Sequence, residues 1–512
     1  MSTKKILAVL LALFVLATAV SGCGNSGSSS ADSQSGSSAT SENSASTEDT
    51  ASTDGEVPTI SLMVVCGTTP PDADAVAEKL SEITREKIGC NVEFITMEIG
   101  NVAQQLNLLL SGGDDTLNVF MAGISVPYST IVNNGQALSL DTLMEPYAEE
   151  VKTALGEKVY ESGRVNGELY GIGRLLDQAS TTCYNLRRDI AEEFGYKNGD
   201  KVDLAELTEL FGKVREKYPD TPLIGPMNGV PSIGDSRIDS LGNKLGVLDN
   251  YGQDTTVTNY YESAGYEELV GYFKQWKEMG CYMADILNVT DAPIDYIPSG
   301  KAFGCFASHF SAEMNGIWSS QNFGTDIASL QIYEDAVAIT PGAYECINPA
   351  TKNPEAAAAL IYLMATDPDV ENLLINGIEG QHYQVLEDNT ATYVDGKDIS
   401  TTGWCLGYSW TALNSTISIP FEYPADYYDR LLEANKNAQQ SKAFGCQFDL
   451  TGVSDAVSAC TNVVNQYENA LSGGAVEDFD ATLAQFQQGL RDAGIDEIVA
   501  AKQEQLDAFL AG

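Results

Sequence analysis

Over most of its length the chain spaces its apolar residues as buried strands and one-faced helices do. Thr59 to Val65 is a β-favouring apolar run that breaks into the turn cluster Gly67-Thr68-Thr69-Pro70-Pro71, and so predicts a buried strand. Asp74 to Ile88 follows, with Val76, Leu80, Ile83 and Ile88 near helical spacing on one face. Cys90 to Met97 reads as a second strand, Val102 to Ser111 as a helix stopped by Gly112-Gly113, and Leu117 to Met121 as a third strand. Strands alternating with helices predict a parallel sheet covered on its faces. In such sheets ligands sit beyond the carboxyl ends of the strands, which nominates the loops at 67–71 and 122–125, with Thr68 and Gly123 as candidate contacts.

Further along, Gly163 to Gly173 reads as a hairpin-like turn feeding a strand, Thr182 to Asn185 as a strand, and Arg187 to Phe194 as a helix stopped by Gly195. Amphipathic helices are predicted over Leu204–Lys217 and Tyr266–Met279. Asn353-Pro354-Glu355 opens a helix through Ala365, with Asn as cap and Pro in the first turn, and Asp367-Pro368 repeats the device up to Gly377. From Tyr427 the chain reads as mostly helical, ending in Leu483–Leu490 and Asp496–Leu510. No repeat of 20–50 residues is visible.

The N-terminus departs from this pattern. Lys4 and Lys5 precede an apolar or small run from Ile6 to Val20, about 15 residues and too short to span about 30 Å of hydrocarbon with margin. It ends in Val20-Ser21-Gly22-Cys23, which resembles a bacterial lipobox and implies cleavage before Cys23 and lipidation of its thiol, several acyl chains giving a stable anchor. Residues 1–22 are therefore expected to be a signal peptide. Residues 23–57 are expected to be a lipidated cysteine and a Ser/Gly-rich tether with too little apolar area to fold. A flexible segment of about 33 residues has a root-mean-square reach of roughly 30 Å. Together these place the chain on the outer face of a cytoplasmic membrane, at the surface of a Gram-positive cell.

Composition then removes function classes. A net charge of −44 argues against nucleic acid, and against a basic patch on an anionic lipid face. Apart from Cys23, the chain's 10 cysteines include Cys66, Cys90, Cys183, Cys281, Cys305, Cys346, Cys405, Cys446 and Cys460, with no C-x-x-C pair. They read mainly as small buried residues in a reducing or anaerobic habitat, with one or two disulfides as the alternative. With 2 histidines and no H-E-x-x-H, G-x-S-x-G or G-x-x-x-x-G-K-[ST], the parts for metal hydrolysis, Ser-His-Asp chemistry and ATP hydrolysis are missing. No cofactor or metal site is expected. Asp388 to Asp398 lacks the order of a calcium loop and reads as a solvated hairpin. A carboxylate pair for glycoside hydrolysis stays open, because such pairs assemble only in the fold.

Ordered short motifs carry a family likeness across nearly the whole mature chain. Asn166-Gly167-Glu168-Leu169-Tyr170-Gly171-Ile172, Tyr184-Asn185-Leu186-Arg187-Arg188-Asp189 with Phe194-Gly195, and Asn353-Pro354-Glu355-Ala356-Ala357 are three of them. Gly377-Ile378-Glu379-Gly380-Gln381-His382-Tyr383 is the most specific, and Phe444-Gly445, Phe448-Asp449, Ala493-Gly494-Ile495-Asp496 and Gln503 with Gln505-Leu506 close the series. The chain resembles the extracellular solute-binding proteins (family 1 type) of ATP-driven carbohydrate importers, in their LipO-like lipoprotein branch; Gly173 departs from the proline usual there. The resemblance implies an α/β, two-lobed periplasmic-binding-protein-like (type II) clamshell with crossing hinge strands and a helical C-terminal part. It implies lobe 1 over 58–172 and 341–403, and lobe 2 over 173–340 and 404–512. It also implies a non-enzymatic, monomeric receptor that takes a sugar or oligosaccharide between its lobes and hands it to the permease subunits of an ABC importer. A surface glycoside hydrolase, an adhesin, or a binder of another polar solute such as a peptide are the competing readings.

Sugar sites need flat aromatic faces and planar polar groups. Trp404 and Trp410 flank the Gly-interrupted stretch Cys405 to Ser409, and Tyr408 and Trp410 are candidates for the cleft, with packing as the alternative. Trp318 is a candidate from a loop-like region, whereas Trp276 belongs to an amphipathic helix and reads as core. Arg174 and Asp177, just past the crossing strand, are cleft candidates against a surface salt bridge. Tyr184 and His309, at likely strand ends, are candidates against packing; His382 is expected to be structural. Trp410→Ala is expected to weaken sugar binding without lowering the melting temperature, measured by calorimetry beside a thermal melt. Loss of folding instead would assign the indole to the core.

Overall fold

A computed structural model describes residues 57–227, 233–289, 291–404 and 412–511. The strands are, in chain order, β1 (Thr59–Cys66), β2 (Asn91–Glu98), β3 (Val119–Ala122), β4 (Arg164–Val165), β5 (Glu168–Leu169), β6 (Gly171–Gly173) and β7 (Ala179–Arg187). They continue with β8 (Gly304–His309), β9 (Ile327–Gln331), β10 (Val337–Ala338), β11 (Tyr344–Ile347), β12 (Tyr383–Val385), β13 (Ala391–Tyr393) and β14 (Gln439–Gln440). Ten of them form two five-stranded sheets with separate cores, and β4–β5 and β12–β13 are two-stranded hairpins. Together they make a two-lobed α/β body, as the motifs implied.

The first sheet runs β2-β1-β3-β11-β6, with β1 parallel to β2 and β3, and β11 antiparallel to β3 and β6. Period-two alternation sorts β1 into two layers. Ile60, Leu62 and Val64 face a core shared with Val76 and Leu80 of helix Ala73–Ile88. Met63 and Val65 face another, shared with Val102, Leu106 and Leu110 of helix Val102–Ser111. A strand apolar at nearly every position is thus the signature of a sheet covered on both sides. Ser61, the polar exception, is paired: its N–H and hydroxyl reach Asn118 Oδ1 at 2.8 and 3.0 Å. The turn between β4 and β5 is Asn166-Gly167, with φ of 53° and 87°, the left-handed pair that a two-residue hairpin requires.

The second sheet centres on β7, antiparallel to β8, β9 and β10, with β14 parallel to β10 at the edge. Helix Ala312–Phe323 is locked onto it by a buried amide-hydroxyl network: Asn315 Nδ2 donates to Asn185 Oδ1 and Ser329 Oγ, both at 2.9 Å, and Asn185 Nδ2 donates to Ser319 Oγ at 3.0 Å. The C-terminal helices Ser454–Ser472, Phe479–Asp492 and Ile495–Leu510 bury Cys460, Leu471, Phe486, Leu490 and Ile498 in this second core. The first core, for its part, takes in Trp404, Ala412 and Leu413, which lie beyond the 403 boundary.

Tyr184 is corrected by this packing. It is 0% exposed, its ring meets Phe211 and Phe306, and its hydroxyl donates to Leu223 O at 2.7 Å, so it belongs to the second core and cannot touch a solute. Trp276 packs there too, as expected. The Gly377–Tyr383 motif proves to be a structural knot. His382 is fully buried; Ile378 N–H donates to its Nδ1 at 2.9 Å, and its Nε2 lies 3.1 Å from Asp72 Oδ2. Gly377 cannot carry a side chain, since a Cβ there would lie 2.3 Å from His382 Nδ1. Asp388 to Asp398 spans the turn and second strand of the β12–β13 hairpin. The eight cysteines among the described residues are all buried, and no two of them are bonded; Cys405 lies outside the described residues.

Candidate functional site

The chain passes between the lobes in segments that pair edge to edge. Leu175 N–H donates to Leu413 O at 2.8 Å, and Arg174 N–H to Ala343 O at 3.2 Å. Ile339 N–H donates to Gln178 O at 3.2 Å, and Ser441 N–H to Ala338 O at 2.9 Å. Thr340 Oγ1 donates to Ala443 O at 3.2 Å and accepts from Gly445 N–H at 2.9 Å. The order across this ribbon is therefore 412–414, 174–178, 339–343, 441–445. Helix Tyr427–Asn437 is fastened to it by Asn435, whose Oδ1 accepts from Ala179 N–H at 2.9 Å while its Nδ2 donates to Leu176 O at 2.7 Å.

Two chambers lie side by side on the ribbon. The smaller, about 250 Å³, covers the junction of 174–178 with 339–343 and is lined by Ile124, Arg174, Leu176, Asp177 and Gln178. Aromatic rings gather beside it. Tyr423 and Tyr427 stack at 4.0 Å, Phe310 meets Tyr427 edge-on at 5.5 Å, and His309 lies 4.6 Å from Phe310. Burial pushes both phenols up, and the nearby Asp177 carboxylate adds to the effect. Asp177 has an exposed surface but sits among enough protein atoms for desolvation to raise its own carboxyl, against the lowering pull of Arg174. Desolvation holds His309 down at about 4, so its imidazole is neutral at pH 7; Ser311 N–H donates weakly to Nδ1 at 3.4 Å, which leaves Nε2 as the protonated nitrogen.

The larger chamber, about 450 Å³, covers the junction of 339–343 with 441–450. Gly123, Tyr128 and Ser129 come from the first lobe, Ser240 and Asn243 from the second, and Gln447 and Phe448 from the strap after β14. The strap is tied to the first lobe: Gln447 Nε2 donates to Tyr344 Oη at 2.7 Å and Ser162 O at 3.1 Å, and Ser129 Oγ to Phe448 O at 2.9 Å. Gly123 owes its identity to a close approach. With φ at +102°, a Cβ would stand 2.0 Å from Gly342 O on the crossing segment.

Of the residues nominated from sequence, the structure brings Arg174, Asp177 and His309 towards one aromatic group and sets Gly123 on the neighbouring chamber wall. Thr68 is exposed after β1 and lines neither chamber. Trp318 lies not in a loop but on helix Ala312–Phe323, where it is partly buried and packs edge-on against Phe323 at 5.9 Å. Tyr408, Trp410 and Cys23 lie outside the described residues. Sequence reasoning passed over Tyr423 and Tyr427, although an aromatic pair at i, i+4 around Pro424 was the available signal, and it passed over the loop 239–246 entirely.

A model of a domain of unknown function (DUF3502) matches residues 442–511, the strap and the C-terminal helices. A curated carbohydrate ABC transporter substrate-binding protein of Streptococcus pneumoniae is 23% identical over 474 residues, 90% of this chain and 92% of that protein. The crystal structure of the N-glycan transport solute-binding protein NgtS from the same organism superposes with a TM-score of 0.74 at 20% identity, over 89% of this chain and 99% of that one. An extracellular solute-binding protein from Bifidobacterium longum subsp. infantis gives 0.63 at 16% identity, over 90% and 100%. The fold is that of the two-lobed solute-binding proteins. The two-lobed architecture implied by the sequence motifs is thereby borne out, and the hydrogen-bonded ribbon is where its lobes join. Among the described residues no helix is long and apolar enough to cross a membrane, and no group of three or more His, Cys, Asp or Glu is placed to hold a metal.

One buried acid braces this solute-binding fold. Glu371 is 0% exposed, and its Oε1 accepts from Asn414 N–H at 2.7 Å, next to the ribbon. Burial pushes its carboxyl up to about 8, against the lowering effects of the Asn414 and Leu413 N–H groups and of Arg174. A folded pKa above the unfolded one means that the native state binds the extra proton. The stability linked to it is complete below about pH 4.3 and is lost as pH rises towards 8, by up to about 1.4 kcal/mol per unit. Glu371→Gln is expected to remove that slope and to raise stability at pH 7 to 8 relative to wild type, measured by urea unfolding from pH 5 to 8.5. An unchanged slope would show that Glu371 is ionised throughout.

Proposed function

We propose that this protein captures a sugar or oligosaccharide in the cleft between its lobes and delivers it to the permease of an ABC importer. The observation that carries the reading is the stacked, partly buried pair Tyr423 and Tyr427 near Asp177, which with Arg174 lines a chamber built on the segments that join the lobes. Sugars offer C–H faces to aromatic rings and hydroxyls to planar polar groups, and this site supplies both. Lobes that close about the ribbon would surround the solute and create the surface that a permease recognises. The relatives support this: the pneumococcal one carries the name of a carbohydrate transporter's binding protein, and NgtS has been crystallised with Man1GlcNAc and with Man5GlcNAc.

The ligand set we assign to the cleft is Arg174, Asp177 and His309, with Tyr408 and Trp410, and with Tyr423 and Tyr427 added from the structure. The chain acts as a binder rather than an enzyme, and as a monomer. Its signal peptide ends at residue 22, lipid on Cys23 holds it at the outer face of the cytoplasmic membrane, and the tether gives the body reach to its permease. Cys23→Ser is expected to move the protein from the membrane fraction to the culture medium; retention in the membrane would reject the lipid anchor.

A thermal-shift screen of residues 57–512 against mono- and oligosaccharides tests the main reading. A sugar present at 100 times its dissociation constant should add about 2.7 kcal/mol of stability. Chromatography of the same incubations should recover the glycan intact. Cleaved product would favour a surface glycoside hydrolase, and the absence of a shift with every glycan would refute sugar capture.

A further inference from the structure

The wall of the larger chamber is held by a residue that never reaches it. Lys502, on helix Ile495–Leu510, is 0% exposed. Its ammonium donates to Asn243 Oδ1 at 2.8 Å, Leu241 O at 3.0 Å and Gly246 O at 3.1 Å, so three N–H donors meet three acceptors on one loop. That loop needs such support. Leu241 and Lys244 adopt φ of 44° and 59°, and Gly242 and Gly246 φ of 91° and 96°, a run of left-handed residues that no regular ladder stabilises. A second tie joins Lys244 Nζ to Glu468 Oε1 at 3.1 Å on helix Ser454–Ser472. Both anchoring helices belong to the segment matched by the domain of unknown function.

Asn243 shows what the arrangement achieves. Its amide oxygen accepts from Lys502 Nζ and also from Leu245 N–H at 3.0 Å. Two donors at one end of the amide settle its orientation: the oxygen is turned towards the loop and the NH2 group away from it, on a residue that lines the chamber. Ser240 and Gly242 of the same loop line the chamber beside it.

We propose that Lys502 is a positioning residue for the interlobe site: it holds the loop 239–246 from below and fixes Asn243 as a hydrogen-bond donor into the larger chamber, for a solute bearing a hydroxyl or carbonyl oxygen there. The proposal rests on the solute-capture reading, and it assigns a task to a C-terminal segment that otherwise only completes the second core. Among the sugars of the thermal-shift screen, it selects those that place an acceptor oxygen at this wall.

The test uses the full chain and two variants. Lys502→Met keeps an apolar chain of similar length but leaves three acceptors without their donor, so the melting temperature should fall while the chain still folds. Hydrogen exchange of amides 239–246 in the sugar-free protein should quicken about tenfold, and affinity for the best sugar of the screen should fall about tenfold. Asn243→Asp keeps the oxygen that Lys502 grips and removes the NH2 group; affinity should fall by a similar factor while exchange stays as in wild type. With Asn243→Asp already in place, adding Lys502→Met should cost little further affinity, because the two changes break one chain of contacts. Unchanged exchange in Lys502→Met overturns the proposal, whether or not any sugar binds. Unchanged affinity in Asn243→Asp, or losses that add in full, overturns it as well, and the first of these does not depend on the Lys502 variant folding. If wild type binds no sugar, solute capture fails first, and the exchange measurement still decides the positioning role.

Discussion

A chain that leaves one sheet for another loses its ladder partners at the crossing, and a buried backbone group without a partner is costly. Here the crossing segments serve as partners to one another. Residues 412–414, 174–178, 339–343 and 441–445 share their N–H and C=O groups in a narrow ribbon, and Asn435 and Thr340 fill the places that the main chain misses. That one solution fixes much else. It puts Gly342 against Gly123, which excludes any side chain there. It lays both chambers over backbone common to the two lobes. Beyond the ribbon each lobe is closed by its own core residues.

Around the ribbon the charge pattern of the molecule reverses its usual role. The surface carries a large excess of carboxylates, which keep it hydrated and away from polyanions. Next to the cleft, the ionisable groups are desolvated. His309 and Glu371 favour their neutral forms, and Lys502 is drawn down to about 7 by burial, with Asp239 opposing. Neutral or fully satisfied groups avoid the cost of an unpaired buried charge.

Much of the secondary structure was legible in the sequence because its signals are local. Helix Val102–Ser111 has the limits that its apolar spacing and Gly112-Gly113 predict, and helix Leu204–Lys217 starts where Asp203 accepts from Glu206 N–H at 2.7 Å. The lobe architecture came from motif order rather than from periodicity. Tyr184 was misread for a physical reason: β7 is buried along nearly all its length, so its sequence shows no alternation to tell a ring facing the core from one facing a cleft. The loop 239–246 was invisible because left-handed turns have no period, and because its partner on the last helix lies some 260 residues away, |i−j| being 261 for Leu241 and Lys502. Tyr423 and Tyr427 lacked the salience of tryptophan and fell at a loop–helix boundary, where neither template applies.

The buried cysteines have a consequence for how such a protein matures. Cys183, Cys281, Cys305 and Cys446 have thiols pushed up to about 12 by burial, and Cys66, Cys90, Cys346 and Cys460 are shifted the same way. Only the thiolate attacks, so these sulfurs are inert once the cores have formed. Such a chain therefore has no pairing of these eight to get right and no need of an isomerase for them. Its window of danger is the interval before closure, when the same sulfurs are open to any oxidant. Rapid, locally directed folding of each lobe is then a chemical safeguard as much as a structural one.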